Sequence, residues 1–442
     1  MKKYFIILLS LFCTQAFGQA NVLPAKDQTK LVVIKNATIH VGNGQVIENG
    51  TIIINKGKIE KIGANLAIPV GDVHVTDASG KHVYPGIILP TSKTGLLETG
   101  SIRASNDVRE IGDINPNVRS IVAYNSDSKV INTLRSNGIL FANVVPQGSL
   151  LAGSSSVVQL DAWSYQDAAY QTDGGMHLYL PSLMARPSFR GGMGGGRGGP
   201  NAGPAADPVK EGLETIEKVK TFFNEAKAYL ANPAKTETNL KFEAAKKLFD
   251  KKQKLYVHAQ TERQILAAVD FVKEFGFEVV IVGGSESYKV TDLLKKYNVS
   301  VILSQAHRLP TMKDDDVDQP YKTAAALHKA GVLYTITDED DHNRGRNVIF
   351  NAGTTAAYGL NKEEALQAIT LNAAKVLGIA DKTGSLEVGK DANIVISSGD
   401  LLDMRTSNVT EAFIQGRKID LDNKQKQLNS RYEEKYELKK AF

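Results

Sequence analysis

Two segments of the chain alternate hydrophobic and polar positions in the way that strands do. Residues 31–63 show this alternation between glycine-containing turns at 42–44, 49–50 and 56–57, which is typical of a β-meander. Residues 385–420 return to the same alternation towards the other end of the chain. Because these β-rich segments flank a region of different character, we expect the two chain ends to meet in one small β-domain.

The central region instead combines short apolar runs with helical periodicity. Eight runs have the length and composition of buried strands: 83–90, 139–145, 155–161, 176–181, 255–259, 278–283, 299–303 and 333–338. Amphipathic patterns that predict helices follow several of these runs, at 261–275, 286–297 and 317–330. Eight strands that alternate with helices predict an α/β fold built on a (β/α)8 barrel.

A glycine-rich insertion, residues 189–206, interrupts this pattern after the fourth predicted strand. Its composition offers too little apolar surface to order the segment, so we expect a surface loop. A functional alternative is a lid, because the insertion leaves the barrel at the face where barrel active sites lie. Residues 421–442 are rich in Lys, Glu and Gln and predict a solvated helix or tail.

The first 18 residues have the pattern of a secretory signal peptide. Two lysines precede an apolar run at 4–13, and a small-residue exit at 16–18 predicts cleavage after Gly18. The apolar run is too short to span a membrane. Cys13 is the only cysteine, so the processed chain would contain neither a free thiol nor a disulfide. We expect an exported protein, either periplasmic or secreted.

Charge and composition narrow the classes of partner. The formal net charge of +5 falls to about +3 when the leader is removed, and the remaining basic residues are interspersed with acids. This pattern is typical of a solvated surface and argues against a nucleic-acid groove. We therefore expect no nucleic-acid partner, and a small-molecule substrate or ligand stays open.

Four motifs give the chain a family resemblance. They are NATIHVGNGQVIENGTIIINKGKIEKIG at 36–63, GKHVYPGI at 80–87, YGLNKEEALQAITLNAAKVLGI at 358–379 and GSLEVGKDANIVI at 384–396. With them the chain resembles the amidohydrolase superfamily, especially its imidazolonepropionase-like members. The resemblance implies a distorted (β/α)8 TIM barrel, a β-sandwich formed by both chain ends, and hydrolysis of C–N bonds with one or two divalent metal ions.

The resemblance also sets the expected domain boundaries. We expect a signal peptide at 1–18, the first part of the β-sandwich at 19–83, the barrel at 84–384 with its insertion at 189–206, the second part of the β-sandwich at 385–420, and the tail at 421–442.

The chain departs from the family at the metal ligands. Where the family has an aspartate followed by H-x-H on the first strand, this chain has Leu89, Thr91 and Lys93. A cation needs electron-pair donors, and a charged lysine would repel it. The sixth-strand histidine is also absent near Gly283, and the fourth strand carries His177 in place of a lysine.

Two matched positions remain, His258 on the fifth strand and Asp338 on the eighth. By resemblance, His258 would bind a metal or polarise a carbonyl, and Asp338 would act as a general base. His307 and His342 follow the seventh and eighth strands and are candidates to line the pocket or to add a third ligand. A lone loop histidine is more often a hydrogen-bonding group, so the expected cofactor is either none or a single zinc ion.

Two hypotheses about function follow. The first is a divergent amidohydrolase that cleaves a cyclic amide or a small peptide-like C–N bond. The second is a catalytically inactive binding protein, which would be the partner subunit of an active paralogue or a homo-oligomer. Lys93 also suggests a substitute for the metal, namely an ion pair with Asp338, which would end the neighbouring eighth strand of a closed barrel.

The leader generates a direct prediction. Because the short apolar run ends in small residues, the exported protein should begin at Gln19. Mass spectrometry of secreted material should therefore give the mass of residues 19–442. An intact Met1, or a lipid on Cys13, would contradict this.

Overall fold

The structure is a computed structural model that describes residues 22–148, 150–184, 207–234, 236–338 and 344–438. The predicted signal peptide, the glycine-rich insertion at 189–206 and His342 lie outside the described residues.

Sixteen strands are found in the described chain. They are β1 (Leu31–His40), β2 (Val46–Asn55), β3 (Lys58–Ala64), β4 (Val73–Asp77), β5 (His82–Pro85), β6 (Ile87–Ser92), β7 (Ile139–Val144), β8 (Leu151–Gln159), β9 (Ala169–Tyr179), β10 (Lys254–Ala259), β11 (Val279–Gly283), β12 (Ser300–Leu303), β13 (Tyr334–Ile336), β14 (Ile394–Ser397), β15 (Val409–Ile414) and β16 (Arg417–Lys418).

Eleven α-helices accompany these strands in the same ranges. They are α1 (Lys129–Arg135), α2 (Tyr165–Ala168), α3 (Pro208–Ala231), α4 (Leu240–Phe249), α5 (Glu262–Phe275), α6 (Thr291–Lys296), α7 (Gln319–Ala330), α8 (Val348–Ala357), α9 (Lys362–Ala368), α10 (Leu371–Leu377) and α11 (Lys424–Lys435). Among the described helices, none is both long enough and apolar enough to cross a bilayer.

The central sheet is a nearly closed barrel of eight strands in the order β13-β12-β11-β10-β9-β8-β7-β6. Strands β9 to β13 pair in parallel, as do β6 and β7, whereas β8 is antiparallel to both of its neighbours. The α/β barrel expected from the sequence is thus present, but the third strand is reversed. Only residues 145–150 connect β7 to β8, and a parallel return needs a crossover of a dozen or more residues.

Side chains and a helix junction close the barrel between β13 and β6. Near the carboxyl ends of these strands, the hydroxyls of Thr91 and Thr337 lie 2.7 Å apart, and Thr337 Oγ1 also donates to the Thr91 carbonyl at 3.2 Å. At the opposite end, Ile88 N donates to the Ile369 carbonyl at 3.0 Å, just after α9. The gap between the two edge strands is therefore spanned by polar contacts.

The chain ends meet in a second eight-stranded sheet, in which β16-β15-β14-β5-β1-β2-β3 form a continuous path and β4 pairs with β1. Strand β14, from the C-terminal part, pairs antiparallel with β5 from the N-terminal part. A separate apolar cluster supports this sheet. All of these strands belong to one hydrogen-bonded sheet, so the two-layered sandwich that the family resemblance implied stays a prediction.

A buried ion-pair cluster joins the second sheet and the N-terminal segment to the barrel. Asp161, whose side chain is fully buried, is bonded by Arg135 Nη1 and lies 3.1 Å from Arg417 Nη1. The same carboxylate accepts a hydrogen bond from Ala25 N at 2.9 Å. One carboxylate therefore holds two guanidiniums and the backbone of the first described residues.

Removing the charge of Asp161 should destabilise the fold. In Asp161→Asn the buried guanidinium of Arg135 and the mostly buried guanidinium of Arg417 lose the carboxylate that both contact, and we expect a loss of about 3 kcal/mol or more in the free energy of unfolding. Urea denaturation followed by circular dichroism measures the change. Asp403→Asn, which removes the partly exposed partner of the exposed Arg405, is the matched control and should leave the midpoint nearly unchanged. Equal effects from the two variants would contradict the assigned role.

Candidate active site

The candidate residues from the sequence gather at one rim of the barrel. Thr91 and His258 lie in β6 and β10, and Lys93, His307 and Asp338 lie just beyond the carboxyl ends of β6, β12 and β13. Because these strands run in the same direction, their carboxyl ends form a common mouth, which is where barrel enzymes carry their active sites.

Asp338 is held in place by a buried asparagine from α8. Asp338 is 3% exposed, and its Oδ2 accepts a hydrogen bond from Asn351 Nδ2 at 3.1 Å. The other amide atom, Asn351 Oδ1, accepts from His307 N at 3.0 Å. Asn351 is fully buried and thereby ties the ends of β12 and β13 together. The Nε2 of the His307 imidazole lies 2.6 Å from Thr354 Oγ1, so this ring is hydrogen-bonded to a side chain of α8.

His258 belongs to a stack of rings on two neighbouring strands. Parallel pairing of β9 with β10 places Tyr256 beside His177 and His258 beside Tyr179, all on one face. His258 stacks on Tyr179 with ring centroids 3.7 Å apart, and His177 stacks on Tyr256 at 4.9 Å. The two imidazoles are joined by a contact of 3.0 Å between His177 Nδ1 and His258 Nε2.

The surroundings of His177 indicate how this proton is shared. His177 is fully buried, and within the described ranges its Nε2 has no hydrogen-bond partner. A buried N–H without an acceptor is rarer than a buried acceptor without a donor. The favoured arrangement therefore puts the hydrogen of His177 on Nδ1, from which it is donated to His258 Nε2. His258 then carries its own hydrogen on Nδ1.

Both rings are neutral at ordinary pH. Burial lowers the pKa of His177 well below its usual value, and the neighbouring His258 lowers it further. Burial also lowers the pKa of His258. The pair therefore presents hydrogen-bonding groups without charge to the barrel interior.

The proposed ion pair between Lys93 and Asp338 is wrong. Both residues are described, and no ion pair within 4.0 Å joins them among the described contacts of Lys93. Strand β6 ends at Ser92, and the Lys93 carbonyl accepts from Leu96 N and Leu97 N in the following turn. Lys93 thus lies outside the strand whose inward alternation the hypothesis assumed.

The described donors at the mouth do not fit a family-type metal site. Thr91 stands at the first histidine position, and its hydroxyl is engaged with Thr337. The Nε2 of His258 faces His177. Across the described ranges, no group of three or more His, Cys, Asp or Glu side chains is arranged to hold a metal ion, whereas a catalytic zinc ion takes three protein ligands.

Two positioning residues had no role assigned from the sequence. The sequence around Asn351 could have indicated its role. It is the one amide side chain in the largely apolar helix VIFNAGTTAA, and a buried polar group there requires hydrogen-bond partners. His177 was recognised only as a replacement for a lysine, because its contact with His258 depends on the register of β9 against β10.

Comparisons with known proteins agree with this architecture. The sequence profile of the amidohydrolase family matches residues 167–419 of the 442-residue chain, which is more than half of its length. An imidazolonepropionase from Thermoplasma volcanium is 42% identical over 82 residues, which cover 18% of this chain and 20% of that protein. Amidohydrolase tasK from Hapsidospora irregularis is 20% identical over 401 residues, which cover 83% of this chain and 39% of that protein. The chain thus spans about a fifth to two fifths of these curated relatives.

A solved structure extends the likeness to the whole fold. The crystal structure of an amidohydrolase from Thermotoga maritima superposes with a TM-score of 0.74 at 25% identity, over 88% of this chain and 99% of that chain.

The neutral histidine pair predicts a pH-dependent stability. In the unfolded chain each histidine binds a proton near pH 6.5, whereas in the folded protein protonation is opposed down to lower pH. Stability is therefore complete above about pH 7 and falls as the pH decreases below 6.5, by up to about 1.4 kcal/mol per pH unit for each histidine.

Unfolding free energies between pH 7 and pH 5 test this. His177→Gln should show a shallower decrease than the wild-type protein. His74→Gln, which changes an exposed histidine of β4, is the control and should keep the wild-type slope. Identical slopes for all three proteins would contradict the neutral pair.

Proposed function

Because the chain belongs to the amidohydrolase family, we propose that it hydrolyses a C–N bond of a small-molecule amide bound at the mouth of its barrel. The observation that carries this proposal is the buried carboxylate of Asp338, which a fully buried Asn351 orients at the end of the last barrel strand. A buried, oriented carboxylate in an enzyme family of this kind is suited to general-base work.

In the proposed reaction Asp338 moves the proton. Its carboxylate takes a proton from the water that attacks the amide carbon. The same group then returns the proton to the departing nitrogen as the C–N bond breaks. Asn351 Nδ2, which donates to Asp338 Oδ2, restricts the rotation of the carboxylate and so is a positioning residue.

His258 polarises the carbonyl in this proposal. With its Nε2 occupied by His177, the ring offers its Nδ1–H as a donor. A neutral donor aimed at the carbonyl oxygen stabilises the negative charge that develops there, and it does so most effectively in a site that excludes water. No step passes through a metal ion, because the described residues at the mouth do not supply the three protein ligands that a catalytic zinc ion takes.

The substrate class is proposed on narrower grounds. The local similarity to imidazolonepropionase supports a cyclic amide, and a small peptide-like amide is the related alternative. The predicted leader supports the further proposal that the protein acts after export, in the periplasm or outside the cell.

A second candidate function is a binding protein without catalytic activity. The contact between Thr91 and Thr337 supports it, because two hydroxyls join at the position where the family places a metal-binding histidine. Such a protein would keep the pocket and act with an active paralogue or as a homo-oligomer.

Turnover of a substrate panel separates the two functions. The panel contains cyclic amides and N-acylated dipeptides, and the release of amine or ring-opened acid is followed by mass spectrometry. Asp338→Asn should lower kcat by at least about 100-fold, the usual contribution of a general base. Asp316→Asn, which changes an exposed carboxylate, is the control and should keep wild-type activity.

Three outcomes would count against hydrolysis by this route. The first is wild-type protein that binds members of the panel without turnover, which favours the binding function. The second is turnover that Asp338→Asn leaves intact. The third is about one equivalent of zinc in the purified protein, by elemental analysis, whose removal abolishes activity.

A further inference from the structure

A half-buried arginine lies at the barrel mouth, after a strand that stands between those leading to His258 and Asp338. Arg308 follows β12, and its Nη2 donates to Ser285 Oγ at 2.7 Å, just beyond the end of β11. Ser285 Oγ in turn donates to Gln260 Oε1 at 2.5 Å, just beyond the end of β10. Three neighbouring strand ends therefore contribute to one polar chain.

This chain connects to both candidate catalytic residues. Gln260 lies two residues beyond His258. On the other side, His307 precedes Arg308 and is bonded through its backbone N–H to Asn351, the residue that orients Asp338. Arg308 thus lies between the elements that carry the proposed carbonyl donor and the proposed base.

A glycine at the end of β11 leaves room for the hydrogen bonds between Gln260, Ser285 and Arg308. Gly283 has a φ of +105°, and a Cβ at this position would lie 2.2 Å from Gln260 Nε2. A side chain there would displace Gln260 and with it the acceptor of the Ser285 hydroxyl. The backbone at the end of β11 therefore accommodates the polar chain that reaches Arg308.

Arg308 has only neutral partners among the described residues. A guanidinium carries five N–H donors, and the side-chain contacts of this one are the hydroxyl of Ser285 and that of Thr311, the latter at a long 3.4 Å from Nη1. Its Nε is buried without a hydrogen-bond partner in the described part of the chain.

Two described carboxylates of the adjoining segments, Asp315 and Glu286, are hydrogen-bonded to other groups. Asp315 accepts from Tyr288 Oη at 3.0 Å and from Met312 N at 3.1 Å. Glu286 accepts from Glu262 N and from Lys289 Nζ, each at 2.7 Å. Burial lowers the pKa of Arg308, and Asp315 offsets this only in part. Within the described ranges, this cation lacks the paired counter-charge that normally accompanies partial burial.

We propose that Arg308, held by Ser285, is a subsite for a carboxylate of the bound ligand. The inference rests on the proposed function and narrows its substrate class to amides that also carry a carboxylate. The outer N–H groups of Nη1 and Nη2 form a planar fork that matches the two oxygens of a carboxylate. Binding supplies the counter-charge and places the ligand between His258 and Asp338.

Binding measurements test the subsite without any need for turnover. The probes are N-acetylglycine and its uncharged counterpart N-acetylglycinamide, titrated into the full chain by calorimetry at constant ionic strength. The wild-type protein should bind the carboxylate at least about 10-fold more tightly than the amide. Arg308→Met should abolish this preference and keep the weak affinity for the amide.

Two further variants separate this proposal from its alternatives. Arg405→Met removes an exposed arginine of the segment after β14 and should retain the preference. Asp338→Asn should also retain it, so that loss of hydrolysis and loss of carboxylate binding are distinguished. If wild-type protein and Arg308→Met bind the two probes alike, the subsite does not exist. Tighter binding of inorganic phosphate than of N-acetylglycine would overturn the assignment to a carboxylate.

Thermal unfolding without added anion gives an independent readout. If Arg308 serves a ligand, Arg308→Met should unfold at the same temperature as the wild-type protein or higher, because an uncompensated charge has been removed. If Arg308 instead holds the strand ends together, the variant should unfold at a lower temperature, and the proposal fails.

Discussion

The position of every candidate residue depends on how the barrel closes between β13 and β6. No backbone ladder joins these two strands in the described sheet, and hydroxyl groups of Thr91 and Thr337 span the gap near the mouth. The junction between α9 and α10 spans it at the other end, through the Ile369 carbonyl. Closure brings the end of β13, with Asp338, next to the end of β6. It also engages the hydroxyl of Thr91 in the contact with Thr337.

Several polar side chains inside the barrel are hydrogen-bonded in pairs, although His177 Nε2 has no partner among the described residues. His177 and His258 share one hydrogen, and Asn351 serves both Asp338 and the backbone of His307. In a low-dielectric interior, satisfied polar groups of this kind are rigid and costly to rearrange. The result is a neutral donor and a carboxylate in fixed orientations, which is an arrangement suited to polarising a carbonyl and transferring a proton.

The arginines of this fold differ in whether the described protein supplies their counter-charge. Arg135 and Arg417 surround Asp161, so the buried charges there are compensated inside the protein, and the cluster anchors the second sheet to the barrel. Among the described residues, Arg308 has hydroxyl partners only, and the carboxylate of Asp315, which acts on it electrostatically, is hydrogen-bonded to other groups. Within the described part of the chain, the charge of Arg308 is offset only in part, by Asp315, and this distinguishes it from the paired charges around Asp161.

Much of the architecture was predictable from the sequence because it depends on local periodicity. All eight strand runs correspond to strands of the barrel or the edge leading into it, and α5 (Glu262–Phe275) and α7 (Gln319–Ala330) lie where amphipathic patterns predicted helices. The antiparallel direction of β8 was missed, although the short connection at 145–150 was a usable signal. The alternation within β8 is the same for either direction, so pattern alone does not decide it.

The sequence determines which residue types are present at the candidate site. The tertiary structure determines which of these residues contact one another. The absence of H-x-H at 91–93 and the presence of His258 and Asp338 were legible from motifs. The Lys93–Asp338 pair failed because the end of a strand, and with it the direction of a side chain, is set by the turn that follows and not by the alternation before it. The contacts of His177 with His258 and of Asn351 with Asp338 join residues 81 and 13 positions apart. Contacts of this kind depend on strand register and helix docking, which the burial of the whole core decides.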